Sequence, residues 1–402
     1  MSFRWKGVWT LLLAAGLLFP LQQGAGQQRQ LNTVTLDASF YHPPAEGKLP
    51  AVSSRKVTNI ILMIGDGMGA AQISAARIYA VGPAGRLNID RLPVTGLVRT
   101  HSADELITDS AAGATAMATG VKTNNGVISL SPAGDTLQTI LERLQQAGKS
   151  TGLVVTSTIT HATPAGFAAH VRSRKNEAAI AEQLLRNKVN VLLGGGKMFF
   201  LPKSEKGSKR PDNRNLIAEA VAGGYRFVDT REALAKAHGP YLLGLFEPGG
   251  LTTRAPEPSL AEMTQKALEI LSQNRKGFFL MVEGSQIDWA CHANDANYEV
   301  RQMLLFDQAI GKVLDFAQKN KETLVIITAD HETGGMTINA GDLTGKNLGI
   351  AWTTSHHTAV NVPLFAYGPQ ANRFAGLQDN TDIPRQIARI LRLRDFPRVP
   401  RK

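Results

Sequence analysis

Three segments of this chain place chemically capable residues where an apolar run stops. Gly65-Asp66-Gly67-Met68-Gly69 follows the run ending at Ile64. Glu283 follows Val282, with Asp288 and His292 just beyond, and Asp330-His331 follows Thr328. Carboxylates brought together repel one another and need a cation among them. Oxygen and imidazole donors without a set of thiolates suit zinc together with magnesium. Asp288 and His292 stand four apart, a spacing that puts both side chains on one face of a helix. Each piece alone is ordinary. Asp-Gly is a common turn, an acid and a histidine four apart are more often a surface pair, and Asp330-His331 alone says little. The signal is their joint occurrence at the ends of separate apolar runs.

A fourth segment is Thr108-Asp109-Ser110-Ala111-Ala112-Gly113-Ala114-Thr115-Ala116. Its polar triplet opens a run of small, helix-compatible residues. Asp109 or Ser110 can serve as a plain helix N-cap. The alternative is a serine nucleophile at a helix N-terminus, where backbone N–H groups and the helix dipole favour a phosphate.

These residues need a scaffold. Val57–Ile64, Thr151–Ser157, Val189–Leu193, Gly277–Val282, Leu324–Thr328 and Val362–Tyr367 are short apolar, β-branched runs. Continuous apolar strands imply burial on both faces, as in a parallel sheet. Between them, Leu260, Met263, Ala267 and Leu271 recur at helical spacing, as do Val300, Met303, Phe306, Ile310, Val313 and Ala317. The alternation predicts an α/β fold: a doubly wound, mostly parallel central sheet flanked by helices on both faces. In such sheets ligands bind beyond the carboxyl ends of the strands. Residues 188–258, with a triple glycine, a basic loop and a proline-rich stretch, read as an elaboration on the main sheet.

Composition narrows the class. Of 402 residues, 43% are apolar and 19% charged, which excludes a disordered or fibrous chain. Arg4 and Lys6 precede an apolar run from Val8 to Leu21, and Gly24-Ala25-Gly26 follows. This pattern predicts a signal peptide over residues 1–26 and a mature start near Gln27. No later stretch reaches the ~20 apolar residues of a membrane helix. The single cysteine, Cys291, allows no internal disulfide, which suits a bacterial periplasm or extracellular medium better than an animal secretory route. The net charge of +11 favours anionic small-molecule substrates. No nucleic-acid-binding module is recognisable.

Five motifs in order, Gly65-Asp66-Gly67-Met68-Gly69, Asp109-Ser110-Ala111-Ala112, Val282-Glu283-Gly284, Thr328-Ala329-Asp330-His331-Glu332 and His357-Thr358, resemble those of the alkaline phosphatases. The similarity runs from about Thr58 to Pro369. It implies one catalytic domain over residues 27–402, which hydrolyses phosphate monoesters to an alcohol and inorganic phosphate through a phosphoserine. It also implies two zinc ions and one magnesium per chain. By the same resemblance Ser110 is the nucleophile and touches the second zinc with Asp66, Asp330 and His331. Asp288, His292 and His357 hold the first zinc. Glu283 and Thr163 hold the magnesium, to which Asp66 bridges. Arg174 grips the phosphate as a two-pronged donor, and Asp109 orients it. Two zincs roughly 4 Å apart can clamp the attacking and leaving oxygens of an in-line displacement.

The chain departs from some members at two places beside the metals. His161 stands where some bacterial members carry an aspartate, and Trp289 where others have lysine or histidine. Both are expected around the metal ligands, not among them. Too few residues separate His331 from His357 for the large insertion of the animal enzymes, which leaves the usual homodimer open. Gly244-Leu245-Phe246-Glu247-Pro248 resembles animal members that place a calcium nearby. Glu247 and Glu257 are its candidate ligands, with plain surface carboxylates as the alternative. His170, four residues before Arg174, is expected to support it, and Cys291 to pack. The rival readings are a phosphodiesterase or sulfatase of the same superfamily, or a non-catalytic phosphate- or metal-binding protein. The Asp109-Ser110 pair, Glu283, the absence of a Cys/Ser-x-Pro-x-Arg motif and the full set of zinc contacts argue against them.

Overall fold

Strands whose residues are apolar on both sides bury both faces, and that is how this chain builds its centre. The protein is described by a computed structural model covering residues 2, 31–45, 47–51 and 56–398. The expected signal peptide, residues 1–26, lies outside the described residues apart from Ser2. One sheet holds ten strands. They are β1 (Asn59–Gly65), β2 (Val94–Arg99), β3 (Ser150–Thr158), β4 (Val191–Gly195), β5 (Arg226–Val228), β6 (Leu242–Leu245), β7 (Phe278–Gly284), β8 (Thr323–Thr328), β9 (Val362–Tyr367) and β10 (Gly376–Asp379). Their order is β10-β2-β9-β8-β1-β7-β3-β4-β6-β5. Only β9 runs against its neighbours, β2 and β8, so the sheet is mostly parallel.

The middle of the sheet is the core. Every residue of β1, β7 and β8 is buried, and each fully buried Val, Leu or Ile contributes roughly 1.5–3 kcal/mol. The register sets Ile64 beside both Glu283 and Thr328, so the three strands end level. Helices surround the sheet, the first of them α1 (Ala70–Val81). Leu260–Leu271 starts at Ser259, whose side chain and that of Glu262 cap each other's backbone. Ala296–Asn320 starts at an Asp295 cap and stops at Lys321, where the backbone turns left-handed. The two helices pack on each other and on the sheet.

Residues 188–258 contribute β4, β5 and β6 to the same sheet, and the chain from Leu31 onward forms one compact unit. Among the described residues no helix is long and apolar enough to cross a membrane.

Candidate active site

Four adjacent parallel strands, β8-β1-β7-β3, deliver polar groups to one end of the sheet. Asp66 follows β1, Glu283 is the penultimate residue of β7, Asp330 and His331 follow β8, and His161 and Thr163 lie just past β3. The turn after Asp66 needs Gly67. Its φ is +75°, and a Cβ there would sit 2.8 Å from the Cα of Asp288. That close approach sets Asp66 against the helix Gln286–His292, which carries Asp288 and His292.

Ser110 is the first residue of α2 (Ser110–Thr119), and Asp109 is its N-cap, accepting from the Ala112 N–H at 2.9 Å. The small residues of α2 let it approach the strand ends. A Cβ on Gly113 would lie 3.2 Å from the Cβ of Asp330.

Donor atoms converge. Ser110 Oγ lies 3.3 Å from His331 Nε2, and that nitrogen lies 3.4 Å from Asp66 Oδ1 and 3.3 Å from Asp330 Oδ2. Beside this group, His292 Nε2 is 3.2 Å from Asp288 Oδ2, and His357 Nε2 is 3.6 Å from Asp288 Oδ1 and 3.2 Å from His292 Nε2. The rings of His331 and His357 stack at 3.5 Å, so the two groups share a wall. Each imidazole is held by its other nitrogen: His331 Nδ1 by Thr333 Oγ1 (3.2 Å), His357 Nδ1 by the Thr108 carbonyl (2.9 Å), His292 Nδ1 by the Ser355 carbonyl (2.7 Å). Such contacts fix ring orientation and present Nε2 to the centre. A third group, Asp66, His161 and Glu283, has donor atoms close enough to share one ion. The Thr163 hydroxyl faces Glu283 without a well-formed hydrogen bond.

The electrostatics fit cations. Both oxygens of Asp66 and Glu283, Asp330 Oδ2, Thr163 Oγ1 and His161 Nδ1 are buried with no hydrogen-bond partner, which is costly for any polar group. Burial, then the Asp330 charge, pushes the Asp66 carboxyl well above its usual range. Burial raises Glu283 to about 8 and Asp330 to about 7. It holds His331 well below the usual range and His161 at about 3. Burial alone would raise Asp288, but the His292 hydrogen bond and neighbouring imidazoles bring it down, and that bond raises His292 to about 9. Asp66, Glu283 and Asp330, driven toward protonation beside His161 and His331 held neutral, form a donor set that divalent cations would satisfy.

Arg174 closes the other side. Its Nη1 donates to Asp109 Oδ2 at 3.0 Å and its Nη2 to His161 Nε2 at 3.2 Å. His161 thus touches Arg174 and also has a donor atom near those of Asp66 and Glu283. Trp289 meets the His161 ring edge-on at 6.3 Å. Ser110, Arg174, Trp289, His292 and His357 line one cavity of about 510 Å³. A larger cavity, about 810 Å³, bordered by Phe40, Arg254 and Arg301, shares no residue with it and holds none of these groups.

His170 does not support Arg174. It pairs with Glu142 and the Ser129 carbonyl, both at 2.9 Å. The helix Ala162–Ala168 ends before it and Ala169 is extended, so four-residue spacing no longer means a shared face. Glu247 and Glu257 face each other, and Glu257 accepts from the Thr252 and Thr253 N–H groups at 2.9 Å. Cys291 is buried. Sequence reasoning does not single out Thr333 or Asn125. Both act by gripping neighbours, and nothing in residue type or spacing signals that.

Comparison with known proteins agrees with this geometry. The alkaline phosphatase family model matches residues 57–349 and 344–393. Alkaline phosphatase 4 of Bacillus subtilis is 38% identical, over 84% of this chain and 89% of that protein. The structure of alkaline phosphatase from the Antarctic bacterium TAB5 superposes with a TM-score of 0.77 at 34% identity, covering 84% of this chain and 98% of that one. A point mutant of the TAB5 enzyme, described with Mg bound in its M3 site, matches with a TM-score of 0.75 at 34% identity, covering 84% and 99%. The chain belongs to the alkaline phosphatase family, metal-dependent hydrolases of phosphate monoesters.

Proposed function

We propose that this chain hydrolyses phosphate monoesters through a phosphoserine formed on Ser110. The observation that carries the reading is the surroundings of Ser110 Oγ. It is nearly buried at the start of a helix, 3.3 Å from His331 Nε2, and it lines the same cavity as Arg174. Asp288, His292 and His357 would hold one zinc. Asp66, Ser110, Asp330 and His331 would hold a second, and Asp66, Glu283, Thr163 and His161 a magnesium. Such ions supply Lewis acidity that favours the serine alkoxide and the departing alkoxide.

The chain's own residues do the rest. Arg174, held by Asp109, grips two non-bridging phosphate oxygens and aims phosphorus at Ser110. The N-terminal N–H groups of α2 favour the same dianion. Ser110 Oγ attacks phosphorus as the P–O bond to the alcohol breaks, the serine proton passing to solvent and the departing alkoxide taking one up. Water then attacks the phosphoserine and gives up a proton, the P–Oγ bond breaks, and phosphate leaves with Ser110 Oγ reprotonated. Ser110→Ala should keep its fold and metals yet lose most turnover of an aryl phosphate, with a residual rate from the remaining site. Near wild-type turnover would refute the role. Dialysis against a chelator should abolish activity, and zinc plus magnesium should restore it.

The same reading takes residues 27–402 as a single catalytic domain exported behind a cleaved leader, to the periplasm or the medium. N-terminal sequencing of the exported protein tests the cleavage near Gly26. A calcium ion at Glu247 and Glu257 would relieve the repulsion of two facing carboxylates. A homodimer is tested by sedimentation.

A further inference from the structure

We propose that Asn125 is a positioning residue that locks the nucleophile and the phosphate-gripping arginine into one frame. α2 ends at Gly120, whose left-handed conformation (φ 73°) reverses the chain, and Val121 N–H bonds back to Thr119 Oγ1 at 3.1 Å. Residues 121–126 then run back to the start of the helix. There Asn125 Oδ1 accepts from the Asp109 N–H at 2.9 Å, and its Nδ2 donates to the Ile107 carbonyl at 3.0 Å. One amide side chain therefore grips the backbone on both sides of Thr108, immediately before Ser110. The Thr108 carbonyl between those grips holds His357 Nδ1.

The next residue completes the frame. Gly126 N–H donates to Asp109 Oδ2 at 3.0 Å, the same oxygen that accepts from Arg174 Nη1 at 3.0 Å. The Gly126 carbonyl accepts from the Arg174 N–H at 2.8 Å. Asn125's own N–H is tied to Asp104 Oδ1 at 3.0 Å. Asn125–Gly126 thus bonds to the segment before the nucleophile and to both ends of Arg174, its backbone directly and its guanidinium through Asp109. The Asn125 side chain bonds only to backbone, so it works through others and is not itself catalytic. Its importance follows from geometry: attack needs the reacting atoms about 3–3.5 Å apart and in line, and a misplacement of ~1 Å costs on the order of a hundredfold.

Asn125 is half-buried, so water can replace its amide when it is removed, and the fold survives with a looser frame. Asn125→Ala should lower kcat roughly tenfold or more and weaken inhibition by inorganic phosphate in parallel, with the unfolding midpoint and metal content near wild type. Asn125→Asp keeps an acceptor for the Asp109 N–H and loses the donor to Ile107, so it should fall between, and it carries the test if the alanine variant does not fold. A purely structural role would lower the unfolding midpoint and leave kcat and phosphate inhibition per folded molecule unchanged, which overturns the proposal. The inference rests on the roles proposed above for Ser110 and Arg174. Ser110→Ala in the same series separates the two failures. An active Ser110→Ala overturns the assignment of the site. An inactive Ser110→Ala beside wild-type kinetics in both Asn125 variants overturns the frame alone.

Discussion

Stripping the metals should make folding stability fall as pH rises from 7 to 9, and restoring them should abolish the trend. The reason lies in which protons the metal-free fold keeps. Glu283 is fully buried with neither oxygen hydrogen-bonded, and burial raises it from 4.5 to about 8. His292, bonded to Asp288, rises from 6.5 to about 9. In the unfolded chain Glu283 has released its proton at pH 7 and His292 most of its own, so the folded state binds more protons and loses stability with each step upward. His161, His331 and His357, all lowered, are neutral in the fold and nearly so in the unfolded chain above pH 7, and add only a small slope of opposite sign. Each group that keeps its extra proton contributes about 1.4 kcal/mol per pH unit. Glu283 does so up to about pH 8. His292 does so up to about pH 9, and its share is roughly halved because its side chain is 39% exposed and water screens it. Together they remove on the order of 2–3 kcal/mol between pH 7 and 9. Thermal or urea unfolding at pH 7, 8 and 9, with chelator and with zinc plus magnesium, measures the difference. A metal-free protein equally or more stable at pH 9 would refute the reasoning.

Three further outcomes are expected. Gly166→Ala should cost about 1–3 kcal/mol of stability, because a Cβ there would lie 2.9 Å from the Cβ of Ala114 on α2; an unchanged denaturation midpoint would contradict this packing. His161→Asp should tighten magnesium activation and lessen inhibition by excess zinc, since a hard cation prefers a charged oxygen to an imidazole; superimposable magnesium titrations would mean that the side chain does not tune the third site. Gly250→Ala should displace the Trp289 indole, whose Cη2 lies 2.5 Å from the new methyl position, changing indole fluorescence and raising KM for aryl phosphates; identical spectra and KM would show that the ring does not depend on that gap.

The centre of the fold was legible because β1, β7 and β8 are buried on both faces and therefore read as unbroken apolar runs. The site was legible for a related reason: polar residues directly after such runs sit at the carboxyl end of a parallel sheet. The edges were not. β2 buries only Val98 and β10 only Gln378, so neither carries an unbroken apolar run, while β5 and β6 have three and four residues. His170 sits away from Arg174 because the helix stops at Ala168 and the chain becomes extended at Ala169, where helical spacing no longer applies. The contact of His161 with Arg174 joins residues thirteen apart and follows from no local spacing. Asn125 stayed invisible since both its side-chain bonds go to backbone atoms.

The central claim is that phosphate passes through Ser110. The direct measurement is covalent labelling with radioactive phosphate at acid pH, followed by peptide mapping of wild type and Ser110→Ala. The account predicts one labelled phosphoserine peptide containing Ser110, absent from the variant. Label on a peptide from elsewhere in the chain, or label that persists in Ser110→Ala, would contradict it.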